Sequence, residues 1–330
     1  MTLIVTTEKG GLDRYSQELS KRLPVKTLST RRYLSLRENL KLLKTLRGIE
    51  GPIHFPNQHF GRFSLFVKNP FIITVHDLAR FIFPEEAGNM KERLGLFLDR
   101  MGIRRASFII SISENTKRDI VRFWKIPEDK IEVIYNGIDR DKFKPRKVEP
   151  SPHIIYVGSE RPRKNLVRLI EAFGEVKRVY PELKLVKVGG WGRSRVFREM
   201  TMKKIKELSL EDDVIFTGDV DDEKLSELYS SSLLLVYPSL YEGFGLPPLE
   251  AMACGCPVCA SNTSSIPEVV GDAGVLFDPY SVEDMKNAIV KVLSDETFRR
   301  SLIEKGFERV SMFSWERTCE MTLNLYRRLK

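Results

Sequence analysis

The sequence has no long apolar run. Without about 18 consecutive apolar residues, no membrane-spanning helix is expected. The first residues, MTLIVTTEKGG, are apolar too briefly and lack a charged start, so they do not read as a secretory signal. They read as a first buried strand, and the protein is expected in the cytoplasm. Histidine and cysteine are scarce, four of each. Three of the cysteines sit in ACGCPVCAS, as Cys254, Cys256 and Cys259. No His or Cys cluster lies near enough to complete a tetrahedral metal site, so they read as packed, reduced thiols. No G-x-G-x-x-G follows any strand-like run, which disfavours a dehydrogenase. Internal repeats and low-complexity tracts are also missing.

Acidic residues fall short of basic ones, 45 against 54, and the excess is local. Between residues 21 and 50, nine cations (Lys21, Arg22, Lys26, Arg31, Arg32, Arg37, Lys41, Lys44 and Arg47) face only Glu38 and Glu50. A local excess of this kind implies an anionic partner, such as a membrane surface, a nucleic acid or a phosphorylated acceptor. In LSLRENLKLLKTLR, Arg37, Lys41 and Lys44 share one helical side with leucines on neighbouring faces. The segment suits a helix pressed on anionic lipid, and equally a core-facing helix with a solvated basic face.

What is present is a soluble globular composition, 42% hydrophobic and 30% charged, in a chain of 330 residues. That length exceeds one ordinary core and predicts two domains. Strand-like runs at 3–7, 71–77, 107–113, 130–136, 153–158, 183–190, 213–218, 232–239 and 257–261 alternate with helical stretches such as 165–179 and 222–230. Alternating β and α segments predict α/β architecture with parallel, doubly wound sheets. The charged stretch DRDKFKPRKVEPSPH, with Pro145, Pro150 and Pro152, reads as a linker. The expected domains are 1–145 and 146–312.

The chemistry concentrates in Tyr241 to Pro279, YEGFGLPPLEAMACGCPVCASNTSSIPEVVGDAGVLFDP. Glu242 and Glu250 stand eight residues apart around a glycine-rich turn that opens into a helix. Amides at such a turn, with the helix dipole, attract phosphate. Two carboxylates beside them accept hydrogen bonds from ribose or hexose hydroxyls. Pro247 and Pro248 suit the first helical positions. In YVGSERPRKNL, a strand ends at Gly158, and Arg161, Arg163 and Lys164 precede a helix. These cations suit either a departing diphosphate or a solvated basic turn. Gly10 and Gly11 suit either a close backbone approach to a diphosphate or a tight turn. His76 and Asp77 end a strand, where polar residues point into the ligand crevice of a parallel sheet. Asp219-Val220-Asp221-Asp222 precedes a helix and reads as a cap rather than a metal site.

These segments resemble the retaining family 4 glycosyltransferases, specifically a mannosyltransferase-like branch. The block from Glu242 is similar to the family's E-x7-E signature, and the likeness covers nearly the whole chain. The resemblance implies the GT-B fold, two Rossmann-like domains facing a central cleft, with 313–330 crossing back to the first. It implies a nucleoside-diphosphate sugar as donor and a glycan or lipid-linked hydroxyl as acceptor, with no cofactor, metal or nucleic acid. KGGLDRYSQEL resembles the element beside the donor phosphates, which carries Gly10 and Gly11. TVHDLARFIFPE resembles the block in which His76 contacts donor sugar and acceptor. His54 lies in a less diagnostic element. PRKN implies that Lys164 binds the diphosphate. Many members carry Arg directly after the glycine where this chain has Ser159, and Arg163 is expected to supply that charge. FTGDV, with Gly218, is expected near the nucleobase. Phe244, Gly245 and Leu246 would offer amides to the phosphates, Glu242 would bind sugar hydroxyls and Glu250 the ribose. The branch favours GDP-mannose. The alternatives are another sugar-phosphate enzyme on this fold (a UDP-sugar transferase, phosphorylase or epimerase), or a non-catalytic anion or nucleic-acid binder. The lipid-linked acceptors of many members also bring in attachment to an anionic membrane surface through 21–47.

Overall fold

The computed structural model describes residues 1–8, 11–31, 36–192 and 195–329. The chain divides into two compact units, residues 1–137 with 313–330, and residues 138–312. The path leaves the first unit at Gly137, ahead of the proline-rich stretch that reads as a linker in the sequence.

The first unit begins with β1 (Thr2–Thr6), α1 (Gly11–Arg22), β2 (Lys26–Thr30) and α2 (Leu36–Arg47). It continues through β3 (Ile53–Phe55), α3 (Gly61–Ser64), β4 (Phe71–Val75), α4 (Ala79–Ile82) and α5 (Met90–Ile103). It then adds β5 (Phe108–Ser111), α6 (Glu114–Asp119) and β6 (Ile131–Val133). Its sheet runs in the order β2-β1-β3-β4-β5-β6, with every neighbouring pair parallel. β1, β3 and β4 are buried throughout, as expected for strands covered by helices on both faces.

The second unit begins with β7 (His153–Val157), α7 (Leu166–Lys177), β8 (Lys184–Val188) and α8 (Arg195–Glu207). Next come β9 (Val214–Gly218), α9 (Asp222–Ser231), β10 (Leu234–Tyr237) and α10 (Leu246–Ala253). β11 (Val258–Ser261), α11 (Ile266–Val270), β12 (Val275–Phe277), α12 (Val282–Ser294) and α13 (Glu296–Ser311) complete it. The strand order is β12-β11-β10-β7-β8-β9, again all parallel. Read from the β9 edge, this is the classic doubly wound dinucleotide-fold order, whose direction of winding reverses between β7 and β10. Leu169, Ile170, Phe173 and Val176 of α7 pack against Ile154, Leu185 and Val236 of the sheet, one apolar helix stripe on one sheet face.

The last helix, α14 (Trp315–Arg327), belongs to the first unit. Trp315, Cys319, Leu325 and Tyr326 pack with Leu3, Val5, Tyr15 and Ile72. A side chain at Gly137 would meet the Trp315 amide at 2.2 Å, so only glycine lets the start of α14 lie this close.

α2 buries Leu42 and Leu46 in the core and exposes Leu40. Of the basic segment's cations, Lys21 and Arg22 pair with Glu18 and Arg31 with Glu38, while Arg32 lies outside the described residues. What α2 turns outward is thus charge with little apolar surface. Among the described residues, no helix is long and apolar enough to cross a membrane.

Candidate functional site

In an open parallel sheet the strand ends on either side of a reversal diverge, leaving a crevice beyond their carboxyl ends. In the second unit, β7 and β10 flank that point. The chain after β7 forms a tight 3-10 turn, Pro162–Lys164. Asn165 follows in the left-handed region, at φ 58°, a conformation that asparagine tolerates better than most residues. Its Nδ2 donates to the carbonyls of Pro238 (3.1 Å) and Pro279 (2.8 Å), pinning the turn to the loops after β10 and β12. The turn thereby aims Arg163 and Lys164 across the reversal at Glu242.

Glu242 receives both cations. Lys164 Nζ donates to Oε1 at 2.6 Å and Arg163 Nη1 to Oε2 at 3.2 Å. Lys164 also donates to the Tyr237 hydroxyl at 3.0 Å, and Arg163 to the Tyr241 carbonyl at 2.9 Å. The backbone under Glu242 is held just as closely. Its amide donates to Ser264 Oγ at 2.8 Å, and its carbonyl accepts from Ser265 Oγ at 2.9 Å. All three charged side chains are nearly buried, at 10–12% exposure, so Glu242 is ringed by partners that outweigh its own desolvation. Burial pushes its carboxyl up, but Lys164 and Arg163 prevail and hold it down at about 2. It is therefore ionised at neutral pH. Burial lowers the Lys164 ammonium, opposed by Glu242.

Glu250 lies in α10 and is buried, where it accepts a hydrogen bond from Tyr229 of α9 at 3.2 Å. Gly245, at φ 118°, precedes α10; a Cβ there would be strained and would meet Ile266 at 3.1 Å. Pro247 and Pro248 carry no N–H, so within the first turn of α10 the amide left to a ligand is that of Leu246. Phe244 is buried, with its carbonyl accepting from Ser265 Oγ. Gly158 follows β7 and donates its amide to Val188 O. Gly218 ends β9 and accepts from the Gly189 amide, and Asp219 receives the Gly190 amide at 2.9 Å. Asp221 caps α9 and Asp222 pairs with Lys142, so the acidic run serves as a cap. The three clustered cysteines are buried free thiols; burial raises Cys254 to about 11 and raises Cys256 and Cys259 further. Among the described residues, no three His, Cys, Asp or Glu side chains are grouped to hold a metal ion.

Of the first-unit candidates, His76 follows β4 and is buried. Its Nε2 lies 2.8 Å from the Pro56 carbonyl, which can only accept, so Nε2 carries the proton. Tyr15 stands edge-on to the ring at 5.1 Å. His54 is a structural residue, with Nδ1 2.6 Å from the Tyr326 hydroxyl of α14 and Nε2 2.8 Å from Thr74 Oγ1. Burial, helped by His76, lowers its pKa to about 3. Gly11 opens α1, and Gly10 lies outside the described residues.

Sequence reasoning missed Tyr237, the second partner of the Lys164 ammonium, and the ion cluster of buried Glu160 and Lys187 with half-buried Arg198. Arg198 donates to Glu160 Oε1 at 2.8 Å, and Lys187 Nζ reaches the same oxygen at 3.4 Å and the Gly190 carbonyl at 3.0 Å. Lys187, set between Val186 and Val188 in the run LKLVKV, was the available signal.

With this geometry in hand, comparison places the chain. The model described as glycosyl transferases group 1 matches residues 137–309, and that of glycosyltransferase family 4 matches residues 3–142. O-antigen chain mannosyltransferase B of Escherichia coli is 32% identical over 275 residues, 78% of this chain and 70% of that protein. Serotype-specific mannosyltransferase WbdA of Escherichia coli is 32% identical over 241 residues, 68% of this chain but 29% of WbdA. This chain thus matches under a third of the longer relative. Anabaena Alr3699/HepE, crystallised with UDP and glucose, superposes with a TM-score of 0.82 at 18% identity, covering 99% of this chain and 98% of that one. The chain belongs to the glycosyl transferases group 1 family and is a glycosyltransferase of GT-B fold.

Proposed function

We propose that the protein transfers mannose from GDP-mannose to a hydroxyl of a glycan or lipid-linked acceptor, with retention of anomeric configuration. The observation that carries this reading is the ion cluster at the β7/β10 reversal, where Lys164 and Arg163 converge on an ionised Glu242. Two fixed cations beside an amide-bearing helix start suit a diphosphate whose charge grows as the glycosidic bond breaks. In the proposed step the acceptor oxygen attacks the anomeric carbon on the face the diphosphate leaves. The C1–O bond to phosphate breaks, and the acceptor's proton passes to the departing phosphate oxygen. Lys164, Arg163 and the amides of Phe244, Gly245 and Leu246 offset the charge on the leaving group. Glu242 accepts from sugar hydroxyls, Glu250 from the ribose, and the Gly218 region lies along the base. The reading assigns His76 to the transferring sugar. It involves no covalent nucleophile and no metal.

The mannosyl donor is favoured by the O-antigen mannosyltransferase relatives together with the TVHDLARFIFPE and PRKN segments. The reading puts the enzyme in the cytoplasm, at the inner face of the membrane when its acceptor is lipid-linked. Thermal stability measured against GDP, UDP, ADP and dTDP, each with and without EDTA, tests it. A ligand at 100 times its dissociation constant adds about 2.7 kcal/mol. A shift selective for GDP that survives EDTA supports the reading. A shift with another diphosphate overturns the donor, and no shift with any overturns the site.

A further inference from the structure

We propose that α5 of the first unit docks the protein flat on an anionic lipid surface, and that this helix, rather than residues 21–47, supplies the apolar contact. The inference goes beyond the transferase reading and does not depend on it. It starts from how α5 is built. Asn89 and Glu92 form a reciprocal capping box that starts the helix sharply. Its inner face carries Gly95, Asp99 and Gly102. Asp99 accepts from the Arg62 backbone amide and from Arg62 Nε, both at 2.9 Å. A side chain at Gly102 would meet the Gly61 carbonyl at 1.8 Å, so α3 rides directly on the α5 backbone. That contact uses one side of α5 and turns the opposite side outward.

The outward side is apolar. Met90 is 78% exposed, Leu94 59%, Phe97 56% and Met101 46%. At 3.6 residues per turn these four fall within an arc of about 60°, a single stripe about 17 Å long. Single exposed apolar residues are ordinary, but an aligned run of large ones marks an interaction surface.

The charges select the partner. On the same helical projection Arg93 and Arg100 border the stripe on one side, and Lys91 on the other. The acids of the helix, Glu92 and Asp99, fall on the far side, Asp99 buried against Arg62. An apolar stripe edged by cations on both sides matches the boundary between acyl chains and anionic headgroups. α2 has the cations without the stripe, since Leu42 and Leu46 are in the core.

Flotation of the full chain with vesicles of phosphatidylcholine, with or without phosphatidylglycerol, tests the proposal. The wild-type protein should float with the anionic vesicles and not with phosphatidylcholine alone. Leu94→Gln with Phe97→Gln should weaken binding at least about tenfold. Lys91→Gln with Arg93→Gln should weaken it by roughly 25-fold, each cation near such a surface being worth about fivefold. Lys41→Gln with Lys44→Gln in α2 should bind as wild type. All three pairs change exposed side chains, and unchanged melting and unchanged GDP-induced stabilisation would show that the fold and nucleotide site persist. The proposal is overturned if the wild type does not float, if the α5 variants float undiminished, or if only the α2 variant loses binding. It is also overturned if sedimentation shows a dimer that Leu94→Gln with Phe97→Gln dissociates, because a second copy would then cover the stripe. Vesicle binding needs neither donor nor acceptor, so its failure leaves the transferase reading untouched.

Discussion

Replacing Glu242 by Gln keeps the side chain's size and removes its charge, leaving Lys164 and Arg163 nearly buried without a counter-ion. Breaking a buried pair by removing one partner costs about 3–5 kcal/mol, because the remaining charge stays desolvated. The depression of the Glu242 carboxyl from 4.5 to about 2 gives a similar figure, about 3 kcal/mol by linkage. For a unit of this size that loss should lower the melting temperature by roughly 10 °C at neutral pH. Its pH dependence follows from the sign of the shift. A depressed carboxylate contributes stability that is fully present above its unfolded value of 4.5 and is lost as pH falls through about 2. Melting curves of wild type and Glu242→Gln should therefore lie furthest apart at neutral pH and converge as pH falls below 4.5. Adding Lys164→Met to Glu242→Gln should recover part of the loss, since one stranded charge then disappears. The diphosphate assignment adds a second consequence. With Glu242 neutral, an anionic ligand becomes the strongest partner for the two cations, so GDP should stabilise Glu242→Gln at least as much as wild type, while transfer is abolished. A variant within 1 kcal/mol of wild type at neutral pH would refute the electrostatic reasoning.

Tyr237→Phe removes one acceptor of the Lys164 ammonium while keeping the ring, and should cost about 1 kcal/mol in denaturant melting. Gly245→Ala forces a side chain at φ 118° towards Ile266; it should destabilise by more than about 1 kcal/mol and weaken GDP-induced stabilisation. In the first unit, burial holds His54 well below its ordinary 6.5, at about 3, so the unfolded chain binds the proton more readily. Stability should fall as pH drops from 6.5 towards 3, and His54→Asn should flatten that slope in melting against pH.

Much of this was legible in the sequence because buried parallel strands are continuous apolar runs, and every run read as a strand is one. β2, β3 and β12 were not read. Lys26–Thr30 is a mostly exposed edge strand with a polar pattern, and Ile53–Phe55 and Val275–Phe277 are three residues each, too short to show a period. The Lys164 and Glu242 segments stood out as motifs, yet their pairing across 78 positions comes from strand order, which local pattern does not encode. Glu250 illustrates the same limit. Its place in a helix was plain, whereas its Tyr229 partner depends on how α9 meets α10. In α2 the cations were as conspicuous as the leucines, but burial of Leu42 and Leu46 is a tertiary fact. The exposed stripe of α5 is another, because an amphipathic pattern does not say which face is covered.

If the Lys164–Glu242 cluster holds the diphosphate of a nucleotide sugar, calorimetric titration of GDP into wild type and Lys164→Met will separate the two proteins. The wild type should bind GDP and the variant should bind it at least about tenfold more weakly, in line with one strong charge-assisted contact. Equal GDP affinity in a folded Lys164→Met protein would contradict that assignment.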